Sequence, residues 1–388
     1  MQARIDLDAN ATTRPLKEVR EAVMEALSGE FANPSSLHAA GRAAARLLST
    51  CRRTVAEAFG ARPSEVVFTS GATEADRLGL MGTLAADRDK RHLVVSAIEH
   101  PALHDLAEDL KRRVEQTGVS VTFVRPGADG RCSADNIADA LQPDTNCVAL
   151  MWANNETGVL QPIEDVAALC RARKIPFLVD AVQAAGKLDV NFAQSGVDLM
   201  AISAHKIHGP AGVGALLIRN ECRWKPPFPS THEARRRSGT EPLPAIAGFA
   251  AAAAAVRSAP HAQVAALRDQ LERTLVGALE GVTVNGTAER TPNTTNLCFH
   301  GLEGDRLLAL LDRAGIDASN GSACSSGSAE PSHVLSAMGR SRKDALSSVR
   351  FSLSRFTTQA DIARAIAVTL ETVETLQREQ KLRGRSRR

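Results

Sequence analysis

Tyrosine is missing from all 388 residues, so no phenol can take a catalytic role in this chain. Charge of one sign is also missing. The formal net charge of +3 is too small to argue for nucleic acid or an anionic membrane as a partner. The most apolar window, Ala245 to Val256, is alanine-rich and far short of the roughly 20 residues a membrane-spanning helix needs. It reads as a packed helix. The opening MQARIDLDANATT has no apolar core, so no secretory signal is expected there. No internal repeat occurs. Cysteines stand at 51, 132, 147, 170, 222, 298 and 324. Their number is odd and no C-x-x-C or other zinc spacing is present, which argues against a disulfide framework or a structural metal. A reducing cytoplasm suits such a chain.

What remains is an ordinary globular composition, 44% hydrophobic and 23% charged, over a length that suggests two or three domains at about 150 residues each. From Glu65 to about Arg219, seven β-rich runs (EVVFTS, HLVVSA, VSVTFV, CVALMW, IPFLVD, DLMAIS, GALLIR) alternate with helical stretches such as PALHDLAEDLKRRVEQ and IEDVAALCRARK. Continuous apolar runs are the mark of strands buried on both faces. The expected fold is therefore α/β, with a mainly parallel seven-stranded sheet flanked by helices. Beyond Pro242 the pattern changes to a smaller α+β unit with helices around GDRLLALLDRAG and after Gln359, and strand-like TTNLCFH and SSVRFSLS. The expected boundaries are 15–255 for the large domain, and 1–14 with 256–388 for the small one.

Lysine is scarce, nine in all, and most lie among other charges. Lys206 instead follows the apolar run DLMAIS and precedes HGPAGVG, where a buried strand opens into a loop. Ligands of open α/β sheets bind at the carboxyl ends of strands. A lysine there is either a strand-end salt bridge or a desolvated amine able to form a Schiff base. Asp180 ends a second apolar run at the same rim, and in FTSGATEA a strand passes through Gly71 into a helix whose N-terminus can hold an anion. Taken singly, each is an ordinary strand or helix end. Together they supply a lysine for an aldehyde, a carboxylate for a pyridine nitrogen and a cradle for a phosphate, the needs of pyridoxal phosphate.

LDANATTR, NPSSLH, SGATEA, EHPA, WANNETGV, VDAVQAAGK, SAHKIHGPAGVG, RRSGTE, GSACSSGSAEPSHV and VRFSLSRFTT, in this order, resemble the cysteine desulfurases of the NifS/IscS class. These are class V aminotransferases of pyridoxal-phosphate fold type I. The resemblance implies that Lys206 carries pyridoxal 5′-phosphate, that Asp180 partners its ring nitrogen and that His100 stacks on the ring and moves protons. It places Asn155 and Gln183 against the ring, and Ala72, Thr73, Ser203 and His205 around the phosphate. Thr240 would reach that phosphate from the other subunit of a homodimer. Arg350, with Asn10, Asn33 and Asn155, would take the carboxylate of L-cysteine. Cys324, in a loop of Gly and Ser, would receive the sulfur as a persulfide and pass it to an acceptor or iron–sulfur scaffold protein. No resident metal is implied beyond a transient contact of Cys324 with an iron–sulfur cluster. Iron–sulfur assembly, nitrogenase maturation and thiolation are the pathways such enzymes feed.

Alternatives within the resemblance are a selenocysteine lyase or another class V aminotransferase; outside it, a non-catalytic sulfur or cluster scaffold. H-K-I-H at 205–208 lacks a third metal ligand, GPAGVG lacks the order of a dinucleotide loop, and Arg235–Arg237 reads as a solvated or phosphate-facing run. The six cysteines other than Cys324 read as packing residues. The chain departs from the family pattern at Ser230-Thr231, where consecutive glycines are usual, and at Arg77, where Asn is usual.

Overall fold

All seven runs form strands of one sheet in a computed structural model that describes residues 4–29, 32–320 and 330–386. A two-residue strand β1 (Ile5–Asp6) opens the chain, followed by helices α1 (Lys17–Ser28) and α2 (Ala39–Ala58). The sheet then contains β2 (Val66–Thr69), β3 (His92–Ser96), β4 (Ser120–Val124), β5 (Thr145–Ala149), β6 (Phe177–Asp180), β7 (Leu199–Ser203) and β8 (Gly214–Ile218), in spatial order β2-β8-β7-β6-β5-β3-β4. Only β8 runs against its neighbours. Every residue of β2, β3, β5, β6, β7 and β8 is buried, which is why these strands read as unbroken apolar runs rather than alternating ones. One apolar cluster covers one face with α2, Phe249 and Phe192; another covers the second face with Leu80, Leu103 and Leu110 of helices α3 (Ala72–Ala86) and α4 (Pro101–Arg112).

The alanine-rich window is the buried helix Leu243–Ala254. A Cβ at Gly248 would meet Val23 Cγ2 at 2.6 Å, so glycine there permits the close approach of α1. Among the described residues no single helix is long and apolar enough to cross a membrane.

A third cluster joins Ile5 and Leu7 to Leu271, Leu297, Phe351 and Leu376 from the C-terminal part. There β9 (Val282–Val284), β10 (Thr294–Phe299) and β12 (Ser348–Ser352) make an antiparallel sheet in the order β12-β10-β9, and β1 pairs in parallel with β11 (Ile316–Asp317). The N-terminal segment continues along this unit, with Leu7 N–H donating to Asp317 O at 3.0 Å and Ala9 N–H to Ser352 O at 3.0 Å. The chain then crosses to the rim of the large sheet.

The segment after Ser230-Thr231 takes an unusual turn, and Arg77 bridges two helices. Glu233, Ala234 and Arg235 take positive φ of 49°, 56° and 66°, three consecutive non-glycine residues in a sparsely populated region. Glu233 anchors them: its buried carboxylate accepts two bonds from Arg52 (2.6 and 2.7 Å) and one from Phe68 N–H (2.8 Å). Arg77 Nε donates to Ala102 O at 3.3 Å and so ties α3 to α4.

Candidate active site

The rim formed by the carboxyl ends of β2, β6 and β7 opens into a cavity of about 470 Å³. Lys206 reaches it from the turn Ala204–Lys206 directly after β7, and Asp180 is the last residue of β6. Gly71, with φ 155° and ψ −178°, turns β2 into α3 in a conformation that suits glycine. Glycine is needed opposite as well, because a Cβ at Gly214 would sit 2.9 Å from Gly71 Cα. α3 has no side-chain cap, so Ala72 and Thr73 bring the positive end of a 15-residue helix to the cavity wall.

Ala72, Thr73, His100, Asn155, Asp180, Gln183, Ser203, His205, Lys206, Asn10 and Arg350 all line this one cavity. Asn33 and Thr240 do not; they lie together in a separate cavity of about 750 Å³ beside α1 and α2. Cys324 lies outside the described residues.

Lys206 Nζ donates to Asn10 O (2.5 Å) and Ala11 O (2.7 Å), backbone acceptors supplied by the N-terminal segment. His100 caps α4, its Nδ1 accepting from Ala102 N–H at 3.2 Å, an assignment that leaves the neutral ring's proton on Nε2. Burial, and then the charge of Lys206, push its pKa down to about 4, so the ring is neutral near pH 7. The same two causes bring His205 to about 4. Arg350 lies on β12, 3% exposed at its side chain, with Nη1 donating to Asn155 O (3.0 Å) and Nη2 to Asp8 Oδ1 (2.6 Å). Its Nε has no hydrogen-bond partner among the described residues.

Asp180 accepts from Val182 N–H at 2.9 Å, yet burial raises its pKa to about 6 against the pull of Lys206 and Lys187. Behind it on α3, Asp76 is fully buried, both its oxygens without a hydrogen-bond partner among the described residues, and burial followed by Asp180 raises it well above the usual range. Glu99 is pushed up to about 8, first by burial. A buried acidic floor of this kind suits a cationic partner above Asp180. The cavity therefore fits pyridoxal phosphate: an amine at one wall, a helix N-terminus at another, and a carboxylate for a protonated ring nitrogen between them.

Four contributors escaped the sequence reading. Lys187 is only 9% exposed, and its Nζ donates to Gln183 Oε1. The apolar surround of VDAVQAAGKLDV was a signal that this lysine is not a solvated one. Asp76 and Glu99 look like ordinary polar positions in the text, and Asp8 like part of an extended arm. The arginine run proves to be mostly structural, with Arg237 holding Glu74 beside the helix start (2.8 and 3.1 Å) and Arg236 Nε donating to Glu233 O.

The fold and cavity define a pyridoxal-phosphate enzyme of fold type I, and residues 5–365 match the family model described as aminotransferase class-V. The chain belongs to that family. Among curated proteins it is 43% identical over 379 residues to a cysteine desulfurase of Trichormus azollae, covering 96% of this chain and 93% of the relative. It is 40% identical over 370 residues to the cysteine desulfurase NifS of Azotobacter vinelandii, covering 94% and 91%. A solved NifS-like protein superposes with a TM-score of 0.88 at 31% identity, covering 96% of this chain and all of that one. The NifS-like protein of Rickettsia africae gives 0.84 at 29% identity, covering 96% and 99%.

Proposed function

We propose that the chain is a cysteine desulfurase that takes the sulfur of L-cysteine onto Cys324 and releases L-alanine. The observation that carries this is the convergence of Lys206, Asp180, His100 and Arg350 on one cavity, in a chain whose curated relatives at 40–43% identity bear that name. Pyridoxal phosphate held by Lys206 supplies an electron sink that weakens the Cα–H bond of a bound amino acid. The chain's own groups do the rest. Arg350 pairs with the substrate carboxylate through its planar fork, and Asn10 and Asn155 border the same space. Once Lys206 Nζ is a free amine it is the base for the α-proton. His100, neutral and half-buried, holds or accepts a proton at its ring nitrogens. The thiolate of Cys324 attacks the substrate sulfur: the carbon–sulfur bond breaks, a sulfur–sulfur bond forms, and the carbon takes a proton to become alanine.

Gly321 and Gly327 bracket Cys324 in the sequence, and the wide conformational range open to glycine supports its passing the persulfide to a separate acceptor or iron–sulfur scaffold protein. The sulfur would feed iron–sulfur assembly, nitrogenase maturation or thiolation in a reducing cytoplasm. A homodimer completes the reading. Thr240 lines a different cavity from the phosphate cradle of its own chain; Leu47 lines that cavity too, and Met24, Leu27 and Leu37 are exposed on or near α1 and α2. A second subunit covering this face would receive Thr240 at its own cradle.

The test is a single turnover with L-cysteine, in which alanine and protein-bound sulfur per chain are measured. Wild type should give one of each. Cys324→Ser should keep its yellow cofactor and give neither, because a hydroxyl has far too high a pKa to supply an anion. Normal turnover by Cys324→Ser would sink the reading, and sedimentation of an active monomer would remove the dimer.

A further inference from the structure

A second constellation lies on the C-terminal unit, and none of its residues lines the cavity of Lys206. Cys298, next to last in β10, His300 just beyond that strand, and Asp344 in the short helix Arg342–Leu346 bring one ligand atom each to a common point. The separations are 3.5 Å from Cys298 Sγ to His300 Nδ1, 2.8 Å from His300 Nδ1 to Asp344 Oδ1 and 3.9 Å from Cys298 Sγ to Asp344 Oδ1. We propose that Cys298, His300 and Asp344 form a binding site for one zinc ion, with solvent as the fourth ligand.

Geometry carries the proposal. Zinc bonds of about 2.3 Å to sulfur and about 2.0–2.2 Å to nitrogen and oxygen, set tetrahedrally, place ligand atoms roughly 3.3–3.6 Å apart. The three observed separations bracket that range. The shortest is the His300–Asp344 hydrogen bond that the ion would replace, so this pair need open by only about half an ångström. Thiolate, imidazole and carboxylate together suit a borderline cation such as zinc better than the oxygen-seeking magnesium or calcium.

The outer contacts have the arrangement such sites use. Thr283 Oγ1 lies 2.9 Å from His300 Nε2 and can accept a hydrogen bond from the ring's Nε2–H once Nδ1 holds metal. Ser341 Oγ donates to Asp344 Oδ2 at 2.7 Å, fixing the carboxylate while leaving Oδ1 for the ion. Side-chain exposures of 39% at His300 and 30% at Asp344 give an entry path and room for water, whereas Cys298 forms the buried floor. Thiolate and carboxylate cancel the charge of the dication, so the nearby Arg340 faces no net positive site. On binding, the Cys298 proton passes to solvent and the His300 proton shifts from Nδ1 to Nε2.

An ion here would clip the end of β10 to the helix that leads into β12, the strand of Arg350. Its role would be structural and separate from sulfur transfer.

The test uses the tag-free, cofactor-loaded chain carrying Cys324→Ser, so that the loop thiol adds no ligand. After treatment with a chelator the protein is titrated with cobalt(II). Expected are a thiolate-to-cobalt charge-transfer band and intense tetrahedral d–d bands to the red of the cofactor. Both should saturate at one ion per chain and be bleached by zinc, and zinc should also raise the melting temperature. Cys298→Ser and, separately, the more exposed His300→Ala should abolish these bands while the cofactor absorbance persists as the sign of a folded protein. Weak octahedral bands without charge transfer, or unchanged bands in His300→Ala, would overturn the proposal.

Discussion

Lys187 Nζ donates a hydrogen bond to Gln183 Oε1, so a second buried lysine stands behind a residue that lines the cavity of Lys206. That bond sets the orientation of the amide. With Oε1 committed to Lys187, Gln183 Nε2 donates to the backbone oxygen of Asn10, another residue lining the cavity, at 3.1 Å. Lys187→Met keeps most of the volume and removes the donor. A buried carbonyl left unbonded costs about 1–3 kcal/mol, so the melting temperature should fall by several degrees. The visible band of the bound cofactor should also move as the amide loses its fixed sense. Absorbance and thermal unfolding on one sample check both, and an unchanged band with unchanged melting would contradict this role.

Two lysines so close make the covalent assignment a sharp test. Borohydride reduction and peptide mapping should place the pyridoxyl label on Lys206 alone, and Lys206→Ala should lose the band. A label on Lys187 would reverse the assignment.

Arg350 is held by Asp8 and the backbone of Asn155. Arg350→Lys keeps the charge but loses the fork. At about 1.5–3 kcal/mol for a charged hydrogen bond, the KM for cysteine should rise roughly 10- to 100-fold, with a smaller effect on kcat. Asp8→Asn removes a competing carboxylate and should lower KM. Steady-state alanine production measures both variants, and a pure kcat effect for Arg350→Lys would argue against carboxylate binding.

Glu99 links the site to pH. Burial raises its carboxyl from 4.5 to about 8 in the folded chain, so the folded state keeps a proton that the unfolded state has lost. Its contribution to stability is complete below pH 4.5 and is lost as pH rises towards 8. Glu99→Gln mimics the protonated form and removes this slope. In cofactor-loaded samples the melting temperature of wild type should therefore drop relative to the variant between pH 5 and 8. Parallel curves would show that Glu99 does not titrate there.

Glu233 predicts a stability effect far from the chemistry. Its side chain is fully buried against Arg52, and it anchors three residues of positive φ. Glu233→Ala leaves Arg52 and Phe68 N–H without their acceptor and should cost about 3–5 kcal/mol in unfolding free energy. Denaturant unfolding followed by fluorescence is the measurement, and a change below about 1 kcal/mol would be inconsistent with that anchoring.

The large sheet was legible in the text because strands covered on both faces cannot alternate, and all seven apolar runs became its strands. Eleven of the residues carried over by resemblance meet in one cavity because strand ends and a helix start converge on the same rim. Short elements were not legible: β1 and β11 have two residues each and exist only through pairing across the whole chain. Asp76 and Glu99 were invisible for a different reason. A buried acid inside a helix or at a strand end is spelled like a solvated one, and only packing reveals that it has lost its water. Asn33 lies with Thr240 in the neighbouring cavity rather than beside Lys206, and Thr240 is the residue expected to serve the other subunit's phosphate.

The N-terminal arm carries a consequence for biosynthesis. Asn10 and Ala11 supply the acceptors for Lys206, while the arm itself is fastened by Asp317 and Ser352, more than 300 positions later. This segment thus waits for residues more than 300 positions further along before it has a place to lie. The large sheet can assemble while translation continues, but the wall behind its lysine closes only once Asp317 and Ser352 have been made. Cofactor capture accordingly follows synthesis of Ser352, and a product that stops before it would carry the large sheet without that wall.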